Sequence, residues 1–326
     1  MKVKDIGEQG LLKKLKSFCP HDIIGDDAAV LSINPQQKLV VTTDVLVDGI
    51  HFSQTTTPPE SVGWRAIAAN LSDLAAMGAS PLGVTVGLAV PGHLSVDWVE
   101  HLYQGMSHLL AEYNTPIVGG DICRSEVTSV SITALGEVYP NRIIKRSTAQ
   151  PGDVIVTTGY HGMSRGGLEL LLNPSLANNL GQDIRDRLIK AHQYPKPRLD
   201  LLPHLWEIME THTITGMDSS DGLGDAIMQI CAMSEVGAQI QLSQLPCVSM
   251  LSQWFSSAQA LNWVLYGGED FELVLCLAEE MGQKLVKTIG QEGKIIGKII
   301  EKKSVILIDG NQEEALSLDK SFQHFS

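Results

Sequence analysis

Acidic residues recur at the ends of apolar runs, each beside a glycine or a small hydroxyl side chain. GDDAAV carries Asp26 and Asp27, TTDVLVDGIHF carries Thr42, Thr43 and Asp44, and VGGDICRS carries Asp121. MDSSDGLGD adds Asp218, Ser219, Ser220 and Asp221, and YGGEDFELV adds Glu269 and Asp270. Glycine at such points lets a ligand or an ion approach the backbone. Carboxylates with hydroxyls are hard oxygen donors, the set that suits Mg²⁺ bridging to phosphates. Any single acid could equally do a local job: Asp26 or Asp27 in an Asx-turn, Asp221 in the first turn of a helix. Gathered as a set without cations, they would repel one another.

Asp73 poses the sharpest version of the question. It lies in NLSDLAAMGAS, at the end of an Ala-, Leu- and Met-rich segment that begins at Pro58 and Pro59. An ionised carboxylate taken out of water costs several kcal/mol (about 3–5 for an unpaired one) unless it is paired or bound to a metal. The segment reads as a helix from Pro58 to Met77, with Pro at its start and Gly78 at its end.

Alternating and apolar runs supply the frame around these acids. AAVLSI, KLVVTTDV, LGVTVGLAV and VTSVSITALGEVY read as strands, TPIVGGD as a short buried one, and Ser95 to Tyr113 as a helix capped by Ser95. In AQPGDVIVTTG the Pro-Gly-Asp turn introduces a new strand. It divides the chain into an N-terminal domain, 1–149, and a C-terminal domain, 150–326. The second half reads as a strand at 153–158, helices to about 211, the strand TITGMD, a helix over 221–235, the strand FELVLCL, a helix over 279–290, and the closing strands GKIIGKII and SVILID. The class is α/β, and acids at strand ends of such folds are where sites form.

Composition narrows the function. Net charge is −13 with 5% aromatic residues, and no long Lys/Arg run exists, which argues against a nucleic-acid partner. Five irregularly spaced cysteines, Cys19, Cys123, Cys231, Cys247 and Cys276, fit reduced thiols better than a disulfide framework or a zinc site. With no apolar run of ~18 residues and no signal-peptide pattern, no membrane is expected and the cytoplasm is the expected compartment. There is no G-x-x-x-x-G-K-[ST] and no G-x-G-x-x-G after a strand. GYHGMSRGG, Gly159 to Gly167, could cradle a phosphate at a helix start or simply connect two elements.

Taken in order, GDDAAV, TTDVLVDGIHF, NLSDLAAMGAS, GGD, SSDGL and YGGEDFEL resemble the thiamine-monophosphate kinase family. That family belongs with aminoimidazole ribonucleotide synthetase, selenophosphate synthetase and a hydrogenase maturation protein. The resemblance runs from about Ile24 to the C-terminal FQHF. NLSDLAAMGA and GGEDFE are specific in combination with TTD and HF, whereas GGD alone is not. Ser219 stands where members often carry Leu, and Ile50 where some carry a polar residue.

The resemblance implies ATP and thiamine monophosphate as substrates, several Mg²⁺ ions, and a homodimer. It implies two α/β domains: an N-terminal one that contributes its sheet to a dimer-forming barrel, and a C-terminal mixed sheet with flanking helices. It implies a metal-holding set of Asp27, Thr42, Thr43, Asp44, Asp73, Asp121, Asp218 and Asp221, with Asp73, Asp121 and Asp221 closest to the chemistry. Gly120, Asp121, Arg146 and Ser220 would contact ATP, and His51, Glu269 and Phe322 the thiamine phosphate. Read without the resemblance, His51 is an ordinary loop histidine, Arg146 a solvated base and Phe322 an anchor for the tail. Tyr103 or Tyr113 could meet the adenine or simply pack. Other members' reactions, a non-catalytic nucleotide-binding regulator and a metal-dependent phosphatase are the alternative functions.

Overall fold

The structure is a computed structural model that describes residues 1–20, 23, 24, 28–209, 214–317 and 319. Asp26, Asp27 and Phe322 lie outside the described residues. The chain divides into two units, residues 1–74 with 79–139, and residues 75–78 with 140–326.

The first unit contains α1 (Val3–Leu15), β1 (Lys38–Val47), α2 (Pro59–Ala76, to residue 74), β2 (Ser80–Val90), α3 (Val96–Glu112), β3 (Ile117–Arg124) and β4 (Ser129–Val138). Its sheet has the order β1-β4-β2-β3, with β4 antiparallel to both β1 and β2, and β3 parallel to β2. Period-two alternation fixes the faces. Val130, Ile132 and Ala134 of β4 and Val84, Val86 and Leu88 of β2 are buried. Leu74 of α2 packs on this side, against Gly136.

The helices α2 and α3 cross at glycines. A Cβ on Gly63 would stand 1.9 Å from the Leu102 carbonyl oxygen, and one on Gly105 would stand 1.8 Å from that of Glu60. Glycine is required there because main chain meets main chain. The opposite sheet face carries Leu39, Val41 and Val45 of β1, all exposed, with Thr43 bonded to Thr133 across the strands. AAVLSI, expected as a strand, forms none: residues 28–33 have no regular structure. Its apolar residues are not matched by a sheet neighbour, and β1 ends the described sheet.

The second unit contains β5 (Val154–Thr157), α4 (Met163–Leu172), α5 (Gln182–Gln193), α6 (Leu202–Met209), β6 (Thr215–Asp218), α7 (Leu223–Ser234), β7 (Gly237–Gln241), α8 (Pro246–Leu251), α9 (Ser257–Tyr266), β8 (Leu273–Leu277), α10 (Glu279–Ile289), β9 (Lys294–Ile300), β10 (Val305–Asp309) and β11 (Gln312–Ala315). Its mixed sheet has the order β11-β10-β7-β9-β5-β8-β6. Every residue of β5, β6 and β8 is buried, which is why VIVT of β5 and LVLCL of β8 read as near-continuous apolar runs rather than alternations, while TGMD of β6 buries Thr215 and Asp218 as well. Gly282 of α10 meets Val154 and Val156, while Ile155 joins a core with Met163, Leu170, Ile227 and Trp263. Both units are thus α/β, as expected.

The run of β8 between β5 and β6 decides where loops meet. It is antiparallel to both, with Thr157 opposite Val274 and Asp218 opposite Leu273. The segments after β5, after β6 and before β8 therefore share one end of the sheet.

Candidate active site

In the first unit, Thr42 and Asp44 share the inner face of β1, towards α2. The Thr42 hydroxyl donates to the Asp73 carboxylate. The Asp44 N–H donates to Asn70 Oδ1 at 3.2 Å, and Asn70 Nδ2 donates to the Ala66 carbonyl at 3.0 Å. Asn70 is fully buried, so its amide is held and the strand is fixed against the helix. Thr43 faces the other way, as the strand period dictates.

His51 belongs to the same unit, in the turn after β1. Its Nδ1 accepts from the Val47 N–H at 3.0 Å, which puts the neutral ring's proton on Nε2. Arg65 of α2 is 2% exposed and donates through Nη1 to the His51 carbonyl at 2.9 Å. Phe52 is buried, its ring 6.3 Å from that of Trp98. The turn is thus anchored on both sides of the histidine.

Asp121 lies on β3, exposed, with Gly87 of β2 as its register partner. Gly120 faces the β2 main chain so closely that a Cβ would stand 2.1 Å from the Val86 carbonyl oxygen. Beside them opens a cavity of about 310 Å³. Gly119, Gly120, Asp121, Ile117, Tyr103 and Cys19 are among its walls. Burial pushes the Tyr103 phenol up, so it stays neutral. Tyr113 is half-buried and is not among the cavity's lining residues.

In the second unit, the three segments at one end of the sheet interlock through main chain. The Ser219 N–H donates to the Glu272 carbonyl at 2.9 Å, and the Glu269 N–H donates to the Ser220 carbonyl at 2.7 Å. Gly222 (φ 112°) and Gly268 (φ 66°) make the close approach possible. Asp218 is buried at the end of β6, Ser220 is half-buried and Asp221 is exposed. His161 and Ser219 are in buried contact. Burial pushes the His161 imidazole down to about 4, so the ring is neutral at pH 7.

Arg146 is exposed, and its Nη1 donates to Gln229 Oε1 at 2.8 Å. Gln229 in turn donates to Asp225 Oδ2 at 2.5 Å, a relay that aims the guanidinium along α7.

The structure therefore brings together Thr42, Asp44 and Asp73 in one unit, and Ser220 with Glu269 in the other. Thr43 stands apart from its neighbours' face. Arg65, Asn70, His161, Arg198 and Glu272 were not singled out from sequence. Arg65 and Asn70 had a signal, since both are polar residues in the Ala-rich helix that raised the question of Asp73. Glu272 and Arg198 are paired at 2.6 Å across 74 positions, a distance that local pattern does not reveal.

Among the described residues, no three His, Cys, Asp or Glu side chains gather closely enough to hold an ion alone. The oxygens come in partial sets, Thr42 with Asp73 on one unit, Asp218 and Asp221 on one loop of the other. Partial oxygen sets fit Mg²⁺, which keeps waters and substrate oxygens in its shell.

The two units correspond to two family models: AIR synthase related protein, N-terminal domain, over residues 25–138, and AIR synthase related protein, C-terminal domain, over residues 150–310. The chain is 50% identical to thiamine-monophosphate kinase from Synechococcus elongatus, covering 99% of this chain and 98% of that one. A crystal structure of thiamine-monophosphate kinase from Stenotrophomonas maltophilia matches at TM-score 0.78 and 33% identity, covering 90% of this chain and 93% of that one. AaThiL complexed with AMPPCP and TMP matches at TM-score 0.73 and 30% identity, covering 97% and 98%. Hydrogenase maturation protein HypE shares the fold at TM-score 0.76 with 18% identity. The chain belongs to the thiamine-monophosphate kinase family of AIR synthase related proteins.

Proposed function

We propose that this chain transfers the γ-phosphoryl group of ATP directly to the phosphate of thiamine monophosphate, giving ADP and thiamine diphosphate. The observation that carries the reading is its full-length match, at 50% identity, to a thiamine-monophosphate kinase. A relative of the same fold complexed with AMPPCP and TMP supports the two substrates.

Two anions must meet in a chain of net charge −13. Two unit charges ~4 Å apart still interact by about 4 kcal/mol at an effective dielectric near 20. Bound Mg²⁺ would supply the neutralising charge and the in-line template. Asp27, Thr42, Thr43, Asp44, Asp73, Asp121, Asp218 and Asp221 would hold it. Thr43 would take part through its carbonyl, since its hydroxyl faces Thr133.

Asp73 keeps its carboxylate in place through the Thr42 hydroxyl. Gly120 and Asp121 border the cavity whose apolar wall, Ile117 and Tyr103, suits an adenine ring. Arg146 and Ser220 would contact the ATP phosphates, since a guanidinium binds them bidentately. Glu269 would face the cationic thiazolium, and His51, protonated on Nε2, would donate to the acceptor phosphate; Phe322 would close on the thiamine. The acceptor phosphate is largely ionised near neutral pH, so transfer needs no strong general base and no phosphoenzyme.

The exposed Leu39, Val41 and Val45 face of the first unit's sheet supports a homodimer in which two such sheets pair. Cytoplasmic location is supported by free cysteines among the described residues, and no helix among them is long and apolar enough to cross a membrane.

The deciding experiment mixes ATP and thiamine monophosphate with and without Mg²⁺ and resolves products by mass. Thiamine diphosphate that appears only with Mg²⁺ is expected. Free phosphate in its place means a phosphatase, and unchanged ATP means a binding protein.

A further inference from the structure

Residues 268–271 hold a costly shape. Gly268, Glu269 and Phe271 all have positive φ, at 66°, 59° and 52°. For a residue with a Cβ that conformation costs roughly 1–2 kcal/mol, so two of them in three positions persist only when neighbours over-determine them. The restraints are visible. The Glu269 N–H is spent on the Ser220 carbonyl. Glu272, just beyond, accepts from Arg198 Nη1 and from the Thr158 hydroxyl, both at 2.6 Å. Between them, Asp270 Oδ2 accepts from the Gly162 N–H at 2.7 Å and Oδ1 from the Ser164 N–H at 2.8 Å.

We propose that Asp270 is a positioning residue for the acceptor site: by bridging the N–H groups of Gly162 and Ser164, it holds residues 268–271 in the shape that presents Glu269. The proposal rests on the reading of Glu269 as a contact to thiamine monophosphate. A side chain with two acceptor oxygens is required, because one amide oxygen serves one of the two donors and turns its own N–H₂ on the other. The chain keeps a carboxylate there against its own electrostatics. Burial, with Glu272 and Glu269 nearby, pushes Asp270 up to about 7.

The test compares Asp270→Asn, Glu269→Gln and the double variant in the full chain with ATP, Mg²⁺ and thiamine monophosphate. Glu269→Gln and Asp270→Asn are each expected to raise KM for thiamine monophosphate about tenfold, with KM for ATP within about twofold. The double variant is expected to be no worse than the poorer single variant, because one residue acts through the other. Hydrogen exchange at 268–271 is expected to quicken in Asp270→Asn and not in Glu269→Gln. Multiplying losses in the double variant would overturn the proposal. So would an Asp270→Asn enzyme that melts earlier with unchanged KM while Glu269→Gln raises it. If Glu269→Gln itself leaves KM unchanged, the acceptor reading beneath the proposal has failed, and the proposal with it.

Discussion

The His161 imidazole and the Ser219 hydroxyl stand 2.9 Å apart, both almost fully buried, and tie the segment after β5 to the segment after β6. Ser219→Ala leaves a buried imidazole nitrogen without this partner and should cost about 1–3 kcal/mol. His161→Leu combined with Ser219→Leu should recover most of that loss. Urea unfolding of the singles and the double measures the coupling, expected at about 0.5–3 kcal/mol. Strict additivity would mean that the contact contributes nothing.

Asp73→Asn should abolish most of the phosphoryl transfer while circular dichroism and melting temperature change little. The amide keeps the size of the side chain and can still accept from Thr42, but loses the charge proposed to hold Mg²⁺. Near-normal turnover in this variant would remove Asp73 from the mechanism.

The Arg146 side chain is exposed and donates to the Gln229 amide, while the Arg146 carbonyl, which accepts from the Ser234 hydroxyl, survives truncation, so Arg146→Ala should barely affect folding. Arg146→Ala should raise KM for ATP several-fold, on the order of the 1.4 kcal/mol that gives a factor of ten. A rise confined to thiamine monophosphate would place the guanidinium on the other substrate.

Two buried groups should pull stability in opposite directions with pH. Asp270, raised from 3.8 to about 7, holds a proton in the folded chain that the unfolded chain has released. Its contribution is present at low pH and is lost as pH rises from about 4 through 7. His161, lowered from 6.5 to about 4, refuses a proton that the unfolded chain takes. Its contribution is present above 6.5 and is lost as pH falls through 4. Each slope reaches at most about 1.4 kcal/mol per pH unit. Relative to the parent chain, Asp270→Asn should make stability climb more steeply between pH 4.5 and 6.5. His161→Leu should tilt it the other way. Urea midpoints at the two pH values, without added Mg²⁺, check both signs.

Gly105→Ala should destabilise the first unit by about 1–3 kcal/mol or more, because the new methyl meets the Glu60 carbonyl. Gly49→Ala is the control: φ is 82° but nothing lies within 4 Å, so its cost is backbone strain alone, roughly 1–2 kcal/mol. Equal melting temperatures for Gly105→Ala and the parent chain would contradict the helix crossing.

Where local chemistry decides structure, the sequence was readable. The helix expected over Pro58–Met77 spans Pro59–Ala76, and Ser95 caps α3 by accepting from the Trp98 N–H. TITGMD yields β6 and GKIIGKII yields β9, both short segments in which β-branched Thr or Ile residues recur. Helix α1 was missed: Gly7, with φ 64°, kinks it and its apolar stripe is weak. Strand β7, GAQIQ, was missed too, because its place comes from flanking β9 and β10 rather than from its own residues. AAVLSI erred in the opposite sense, having strand composition without a strand to join. At the candidate site, the acids announced themselves by glycine neighbours and by Asp73's apolar surroundings. Arg198 and Glu272 did not, because only the third dimension makes them a pair.

On the ribosome, β5 and β6 emerge well before β8, the strand that separates and aligns them. Asp218 and Ser219 therefore exist in the nascent chain before their β8 neighbour, with β6 held until then only on its other side, by the main chain of Lys145. That end of the sheet closes only once residues 273–277 have been made, so assembly of the second unit's loops is a late event in synthesis, and premature termination before β8 yields a chain with its acids but without their alignment.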